Sequence, residues 1–582
     1  MTYARSLLAT TLALSLAACG QPQSSAPAPT PPASTAPAQG EDGEVIAGAY
    51  LVGFQQQDGL SAQAVEQQAA LQAQAIEAAG GVLTSQWADI SAAAVQLSPE
   101  ALARLQASPL VEYIEPDLVR RALGGPAVGQ AADGGVSAPA ASTGLGSQAL
   151  YTASGETTWG DAALDVPTLR SQGQTGQGVA VCIGDTGIDG NHPEFARRLK
   201  GFRNFVTTEP NRNDPYQLND VGQHGTHVAG TVFAQYGAGT GAPGLLGGMV
   251  ADGVGGVASG ANLYMARVLG DSGSGSSSAI INGVNWCVSQ LKSQGGTENK
   301  VVVNLSLGGG RKSLTEQRAY TSAFNKGVLT VAATGNESTA VSYPAAYDGV
   351  LAVAAVDSDL KKADFSNFGS SVDLAGPGVA VLSAVPLGSG SAASVVSGGT
   401  SYPDVTGADK SGRGTVTGTL AQAGGTNNEF CGAGTRNPAL QGNIALIARG
   451  TCSFEEKVAN AAGSGATAVI ITNNVEGALG LSLTNSYSIP VVGVTQAAGQ
   501  SLSGQSSASV SVGSADYDSW NGTSMATPHV AAAAAVVWAA KPSLTNAQLE
   551  TLLKNTARDI DAAGKDNNTG YGLVQPLRAI QN

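Results

Sequence analysis

The sequence is short of charge. Asp, Glu, Lys and Arg together supply 12% of its 582 residues, against roughly 25% in an ordinary globular protein. What charge there is leans acidic, with a formal net of −14. No basic field exists to attract a phosphate backbone, which argues against a nucleic-acid partner. Aromatic residues are scarce at 5% and histidines number only four, so the position of each histidine is informative. After the N-terminal segment no stretch holds 18 uninterrupted apolar residues, and no membrane-spanning helix is expected. Hydrophobic residues at 42% exclude a disordered chain. Glycine is what the chain has in excess: 78 residues, about 13%, without the every-third period of collagen. That abundance points to tight turns and close backbone approaches. The length predicts about three to five folded units.

The N-terminus reads as an export signal: Arg5, an apolar run from Leu7 to Leu16, then small residues. Leu16-Ala17-Ala18-Cys19 resembles a bacterial lipobox, whose cysteine becomes a lipidated N-terminus; the alternative is an ordinary signal with a chance cysteine. Residues 1–19 are therefore expected to be signal, and the Pro/Ala/Ser/Thr/Gln-rich residues 20–43 a disordered tether. With Cys19 lipidated, Cys182, Cys287, Cys431 and Cys452 remain, an even number in an oxidising setting.

Residues 44–121 have a different texture. A strand-like run over Val45–Phe54 leads into a helical stretch near Leu60–Ala79, and a second strand pattern reaches Leu97. A helix is expected over Pro99–Gln106, then a strand at Val111–Asp117. This β-α-β-β-α-β order fits a small split-βαβ sandwich. Residues 122–155, rich in Gly, Ala, Ser and Pro, read as linker and processing region.

Three segments carry chemistry. Gly178–Asp189 is a run of small apolar residues ending in Asp185-Thr186-Gly187, a buried parallel strand opening at the edge where catalytic groups of α/β sheets collect. By itself, Asp185 could equally cap a turn. His224-Gly225-Thr226-His227 begins a helix pattern. Its histidine spacing does not match the His-Glu-x-x-His metal motif, and a single general base fits it better. Asn521-Gly522-Thr523-Ser524 opens an alanine-rich helix. Ser524 there is either an N-cap or a nucleophile in the positive field of the helix terminus. Ala526 stands where the nucleophile elbow of α/β-hydrolases has Gly.

Asp, His and Ser in this chain order closely resemble the subtilisin-like (S8) serine protease family. The resemblance covers about Trp159–Pro386 and Asp516–Pro576, and it extends to residues 44–121, which resemble the family's inhibitory propeptide. It implies an α/β fold with a doubly wound, mostly parallel sheet, preceded by an α+β propeptide domain. It implies a self-processed zymogen that hydrolyses peptide bonds, with Ser524 as nucleophile, His224 as general base then acid, and Asp185 orienting the imidazole. Asn336, in Thr334-Gly335-Asn336, takes the place of the family's oxyanion-hole donor. Gly273, Ser274, Ser306, Leu307 and Gly308 fall on the two edges that pair with an extended substrate. Ser277 stands where relatives often place a bulky ring over the fourth subsite. Glu337 is either a surface carboxylate or a group favouring a basic substrate.

More than 140 residues separate Gly376-Pro377-Gly378 from Gly522 where a short connection is usual, so a folded insert is expected at 387–515. Gly442–Phe454, Ala466–Asn474 and Ile489–Val494 resemble a β-rich protease-associated (PA) domain. The resemblance would place the insert over the cleft as a lid or substrate-selecting module. The catalytic domain would then comprise residues 156–386 and 516–582. Cys431 and Cys452 both lie in the insert and are expected to form a disulfide; for Cys182 and Cys287, packed thiols and a bond are equal alternatives. The chemistry needs no cofactor. Family members often bind structural calcium, and Glu194 occupies the position of one carboxylate ligand, although the loop Gly244–Gly256 matches poorly. Expected partners are protein or peptide substrates and the chain's own propeptide, with a membrane reached only through the N-terminal lipid before maturation. The protein is expected to be exported, in the cell envelope or outside the cell. An inactive homologue binding through its PA domain is disfavoured by the complete catalytic set, and a serine esterase by the missing elbow.

Overall fold

The computed structural model describes residues 44–126, 157–236 and 254–582, apart from positions 58, 196–197, 208, 210–211, 218, 403–404, 409, 475–478, 482 and 484. Cys19, the signal, the tether and most of the expected linker lie outside the described residues.

The first unit follows the expected order: β1 (Val45–Phe54), α1 (Ala62–Ala78), β2 (Val82–Trp87), β3 (Ala92–Gln96), α2 (Pro99–Gln106) and β4 (Val111–Ala122). Ser61 and Ser98 cap the two helices through their side chains, and Pro99 sits in the first turn of α2, where its missing N–H costs nothing. The strands form an antiparallel sheet in the order β4-β1-β3-β2. One side of its core holds Val52, Phe54, Ile76, Val95 and Leu105. Leu51, Trp87, Ala92 and Ala94 pack instead with Ile281 and Ala319 of the next unit. β4 runs beyond the expected boundary, and a short β5 (Gly125–Pro126) follows. Residues 122–126, at the start of the expected linker and processing region, are held by pairing with the next unit.

That unit holds α3 (Trp159–Ala163), α4 (Val166–Ser171), β6 (Ala180–Asp185), β7 (Leu199–Asn204), α5 (His224–Phe233), β8 (Asn262–Arg267) and β9 (Ser274–Ser276). Next come α6 (Ser277–Val288), β10 (Val301–Leu305), β11 (Leu307–Gly308), α7 (Leu314–Asn325), β12 (Leu329–Ala333), β13 (Val350–Val356), β14 (Leu374–Pro377) and β15 (Val381–Ala384). Seven strands form one parallel sheet ordered β14-β13-β12-β10-β6-β8-β7. β6, β10, β12 and β13 are buried along their whole length, as strands covered on both faces must be. The chain leaves β6 toward β7 and returns to fill the other side with β10, so the order reverses at β6. Ligand sites in doubly wound sheets lie beyond the strand ends at such a reversal. A disulfide joins Cys182 on β6 to Cys287 on α6, which decides the open alternative in favour of a bond.

The insert comprises β16 (Gly390–Ser397), β17 (Thr400–Ser401), β18 (Thr406–Gly407), β19 (Gly414–Gln422), β20 (Ile444–Ala448), α8 (Phe454–Gly463), β21 (Ala468–Thr472), β22 (Val491–Val494), α9 (Gln496–Ser503) and β23 (Ser507–Ala515). They form one eight-stranded sheet, and the expected Cys431–Cys452 bond is present. The chain then enters β24 (Tyr517–Asn521), α10 (Thr523–Ala540), α11 (Asn546–Thr556) and α12 (Pro576–Gln581). β15 and β24 pair antiparallel, with Ala384 opposite Tyr517. The insert thus leaves and returns through neighbouring strands, and the surrounding fold accommodates it like a long hairpin loop. Among the described residues no helix is long and apolar enough to cross a membrane.

Candidate active site

Asp185 is the last residue of β6, His224 the first of α5 and Ser524 the second of α10. All three are buried. His224 Nδ1 is 2.8 Å from Asp185 Oδ1, which also accepts from the Thr186 amide at 2.7 Å. His224 Nε2 is buried without a hydrogen-bond partner, while Ser524 Oγ donates to the Ser306 carbonyl at 2.8 Å. Behind the triad, Asp220 accepts from the Thr186 hydroxyl at 2.6 Å and from the Thr226 amide at 2.8 Å, and the Thr186 oxygen accepts the Gly225 amide at 2.8 Å. This network fixes the start of α5. Burial raises the Asp220 carboxyl above the usual range, with the nearby Asp185 adding to the shift.

The other two histidines near this region are structural. His227 stacks on Trp520 with ring centroids 4.6 Å apart, and burial pulls its imidazole down to about 3. His529 Nδ1–H donates to the Met525 carbonyl at 2.8 Å, and burial takes its imidazole down to about 4. Both stay neutral at ordinary pH.

α10 is buried on all sides, yet it contains Pro528. Proline lacks the amide that would bond the carbonyl four residues back, which here belongs to Ser524. The Ser306 hydroxyl supplies the replacement, donating to the Ser524 carbonyl at 2.8 Å. Ser306 therefore holds Ser524 at both its carbonyl and its side chain, a role beyond the substrate pairing expected of it. Asn336 follows β12. Its Oδ1 accepts from the amide and hydroxyl of Thr523, both at 2.9 Å, which turns its amide nitrogen the other way. A Cβ placed on Gly522 would sit 2.6 Å from the Leu123 oxygen and 3.4 Å from Asn336 Nδ2, so the two groups share one pocket. The Glu337 carboxylate is held by the Asn336 amide at 2.9 Å and Asn367 Nδ2 at 2.8 Å; its use lies within the loop.

Across this site runs the chain's own segment 119–126. Val119, Arg120 and Arg121 pair antiparallel with Ser276, Gly275 and Ser274. Ala122 lies opposite Leu307 and Arg121 opposite Gly308. The Ala122 amide donates to the Gly273 carbonyl at 2.9 Å and the Leu123 amide to the Ser306 carbonyl at 3.2 Å. All five expected substrate-edge residues thus meet one extended strand. Gly125 and Pro126 pair on the other side with Asn521 and Trp520. Between them, the Leu123 carbonyl accepts from the Ser524 amide at 3.0 Å. The peptide bond between Leu123 and Gly124 is therefore laid against Ser524, a placement that sequence reasoning missed. The dipeptide Gly124-Gly125 was its only signal, and it read as linker.

Upstream, the first unit is anchored on two helix starts. Glu115 accepts from the Ser313 hydroxyl at 2.6 Å and from the amides of Leu314 and Thr315 at 3.0 and 2.9 Å, at the head of α7. Asp117 accepts from the Ser278 hydroxyl at 2.5 Å and amide at 3.1 Å, at the head of α6. Carboxylates at helix N-termini satisfy orphan amides and complement the helix dipole. Glu194 is buried, accepting from the Gln235 and Val254 amides at 3.1 Å each and from the Tyr517 hydroxyl at 2.8 Å. Among the described residues no group of three or more His, Cys, Asp or Glu is arranged to hold a metal ion.

Residues 176–419 and 472–572 match the Subtilase family, and residues 416–502 match the PA domain. Over 344 residues the chain is 34% identical to Subtilisin NAT of Bacillus subtilis subsp. natto, a match covering 58% of this chain and 74% of that protein. An alkaline protease of Shouchella clausii is 34% identical over 341 residues, with the same coverage of 58% and 74%. The solved structure of a psychrophilic subtilisin-like protease from Pseudoalteromonas sp. AS-11 is similar with a TM-score of 0.54 and 32% identity, covering 72% of this chain and 96% of that one. Fervidolysin from Fervidobacterium pennivorans shares the fold at 22% identity and a TM-score of 0.55, covering 94% of this chain and 62% of its own.

Proposed function

Because the chain belongs to the subtilase family and is a serine endopeptidase, we propose that it is an exported enzyme made as a zymogen, whose first cut falls between its own Leu123 and Gly124. The observation that carries this reading is the 3.0 Å hydrogen bond from the Ser524 amide to the Leu123 carbonyl oxygen. An amide at a helix N-terminus aimed at that oxygen is placed to stabilise the charge that develops on it in the transition state.

Ser524 Oγ turns from Ser306 to His224 Nε2 and gives up its proton as it attacks the Leu123 carbonyl carbon. Asp185 holds Nδ1–H and stabilises the imidazolium. The oxyanion is met by the Ser524 amide and Asn336 Nδ2. The carbon–nitrogen bond breaks as His224 returns the proton to the Gly124 nitrogen, leaving Leu123 acylated on Ser524. A water molecule, deprotonated by His224, then releases the Leu123 carboxylate and restores the serine. The first unit remains docked through Glu115 and Asp117 after the cut and acts as an inhibitor until it leaves. If Cys19 carries a lipid, the same cut separates the catalytic domain from its anchor.

The test is to follow purified full-length protein and Ser524→Ala by intact mass while both are offered casein. Conversion of wild type alone, to a fragment starting at Gly124 with casein digested, is expected. An intact wild type that leaves casein untouched, or equal cleavage of both chains, overturns the reading. Cell fractionation of the same pair examines the anchor: equal membrane retention of the two catalytic domains removes that part. Turnover of a long-chain ester without casein hydrolysis would favour an esterase.

A further inference from the structure

Two arginines stand in succession before the Leu123–Gly124 bond, and the protein treats them in opposite ways. Arg121 points outward, with 55% of its side chain exposed, and pairs with Glu44, itself 72% exposed. Arg120, three residues before Leu123, is fully buried. The alternation follows from the extended strand: successive side chains face opposite sides, and this one lies between two edges of the catalytic domain.

Arg120 meets a carboxylate built to receive it. Its Nε donates to Glu316 Oε1 at 3.0 Å and its Nη2 to Glu316 Oε2 at 2.6 Å, a two-pronged contact, and Nη2 also donates to the Arg311 carbonyl at 2.8 Å. Glu316 is 1% exposed. Catalytic-domain groups orient it independently of the peptide: the Ser277 hydroxyl donates to Oε1 and the Tyr347 hydroxyl to Oε2, the latter at 2.8 Å. Tyr347 is in turn fixed by the Ser313 amide at 2.7 Å. Space is cleared for the guanidinium by Gly309, where a Cβ would come within 2.9 Å of Arg120 Nη1. The absence of a bulky ring at Ser277 now has a reason, since its hydroxyl serves the carboxylate.

We propose that Glu316 makes the fourth subsite of this protease a selector for arginine, so that preferred substrates carry Arg-x-x before a leucine-like residue at the cut. This rests on the proposed zymogen reading, in which segment 119–126 lies as a substrate lies. In the free enzyme the pocket fills with water, which solvates Glu316. A substrate with leucine at this position expels that water and leaves a buried charge unpaired, and one with glutamate adds repulsion. Alanine leaves room for water and should be intermediate. Lysine neutralises the charge but lacks the planar fork, so it falls between alanine and arginine.

The experiment measures kcat/KM of the protein matured from the full chain on quenched peptides spanning a Leu–Gly bond, differing only at the fourth residue before it: Arg, Lys, Ala, Leu or Glu. Arginine should exceed leucine and glutamate by about 30-fold or more, the range for leaving one partner of a buried charge pair unmatched. In Glu316→Gln the arginine advantage should collapse. The wild-type series stands alone if that variant does not fold. Equal kcat/KM across the five peptides overturns the subsite assignment and leaves the protease reading intact. Failure to cleave any peptide or casein overturns both.

Discussion

A single methyl group added at Gly522 should disable this enzyme. A Cβ there would stand 2.6 Å from the Leu123 carbonyl oxygen and 2.7 Å from Gly124 Cα. Both atoms are backbone of the Leu123–Gly124 peptide, so neither can rotate out of the way. Carbon atoms pack at about 3.5 to 4.0 Å, so the Leu123–Gly124 peptide must retreat by roughly 0.8 Å. That stretches the 3.0 Å bond from the Ser524 amide beyond hydrogen-bonding range. Loss of one oxyanion donor typically lowers kcat by about 10²- to 10³-fold, or some 3 to 4 kcal/mol. Gly522 also has φ of +152°, so alanine there adds about 1 to 3 kcal/mol of backbone strain, which a melting curve would report. The Gly522 amide keeps its bond to the Gly378 carbonyl. The assay is the rate at which purified Gly522→Ala converts to the mature mass, beside Gly125→Ala, where an added Cβ meets nothing within 4 Å. Conversion of Gly522→Ala at the wild-type rate, or no faster conversion by Gly125→Ala, refutes the reasoning.

Asn336→Asp keeps an acceptor for Thr523 but replaces the donor with an oxygen, and kcat on casein peptides should fall by at least about 10²-fold; an unchanged kcat removes Asn336 from the oxyanion pocket. Burial raises the Asp161 carboxyl, beside Thr158, to about 7 from its model-compound value of 3.8. The folded state therefore binds an extra proton between about pH 4 and 7. Stability from this group is complete below pH 4 and is lost on rising through pH 7, at up to about 1.4 kcal/mol per pH unit. Asp161→Asn in the Ser524→Ala background should flatten that slope in denaturant titrations, and an unaltered slope would assign it elsewhere. The Cys182–Cys287 bond closes a separation of 105 residues and Cys431–Cys452 one of 21. In the loop-entropy account these are worth about 4.7 and 3 kcal/mol, so paired Cys→Ser replacement should lower Tm more for the first. The reverse order would argue against loop entropy as the controlling effect.

Much of the site was legible because its signals are local. A buried strand ending in Asp185, a helix starting at His224 and an alanine-rich helix starting near Ser524 each announce themselves within a dozen residues, and their order along the chain completes the pattern. The β-α-β-β-α-β texture of residues 44–121 was equally readable, since period and caps are short-range properties. The role of Ser306 was only half visible: its place on a substrate edge follows from the strand, but its support of the Ser524 carbonyl depends on Pro528, more than 200 positions away.

The primary sequence alone determined the family of the chain, the three local segments that carry Asp185, His224 and Ser524, and the presence of a folded module interrupting the domain. Tertiary structure decided which distant residues meet. Arg120 and Glu316 lie 196 positions apart, and Leu123 is 401 positions from the Ser524 amide that holds its carbonyl. Nothing in the surroundings of Arg120 distinguishes it from the exposed Arg121 beside it. The difference arises only when β4 is laid between β9 and β11, where the pleat turns one guanidinium into a closed acidic pocket and the next into water.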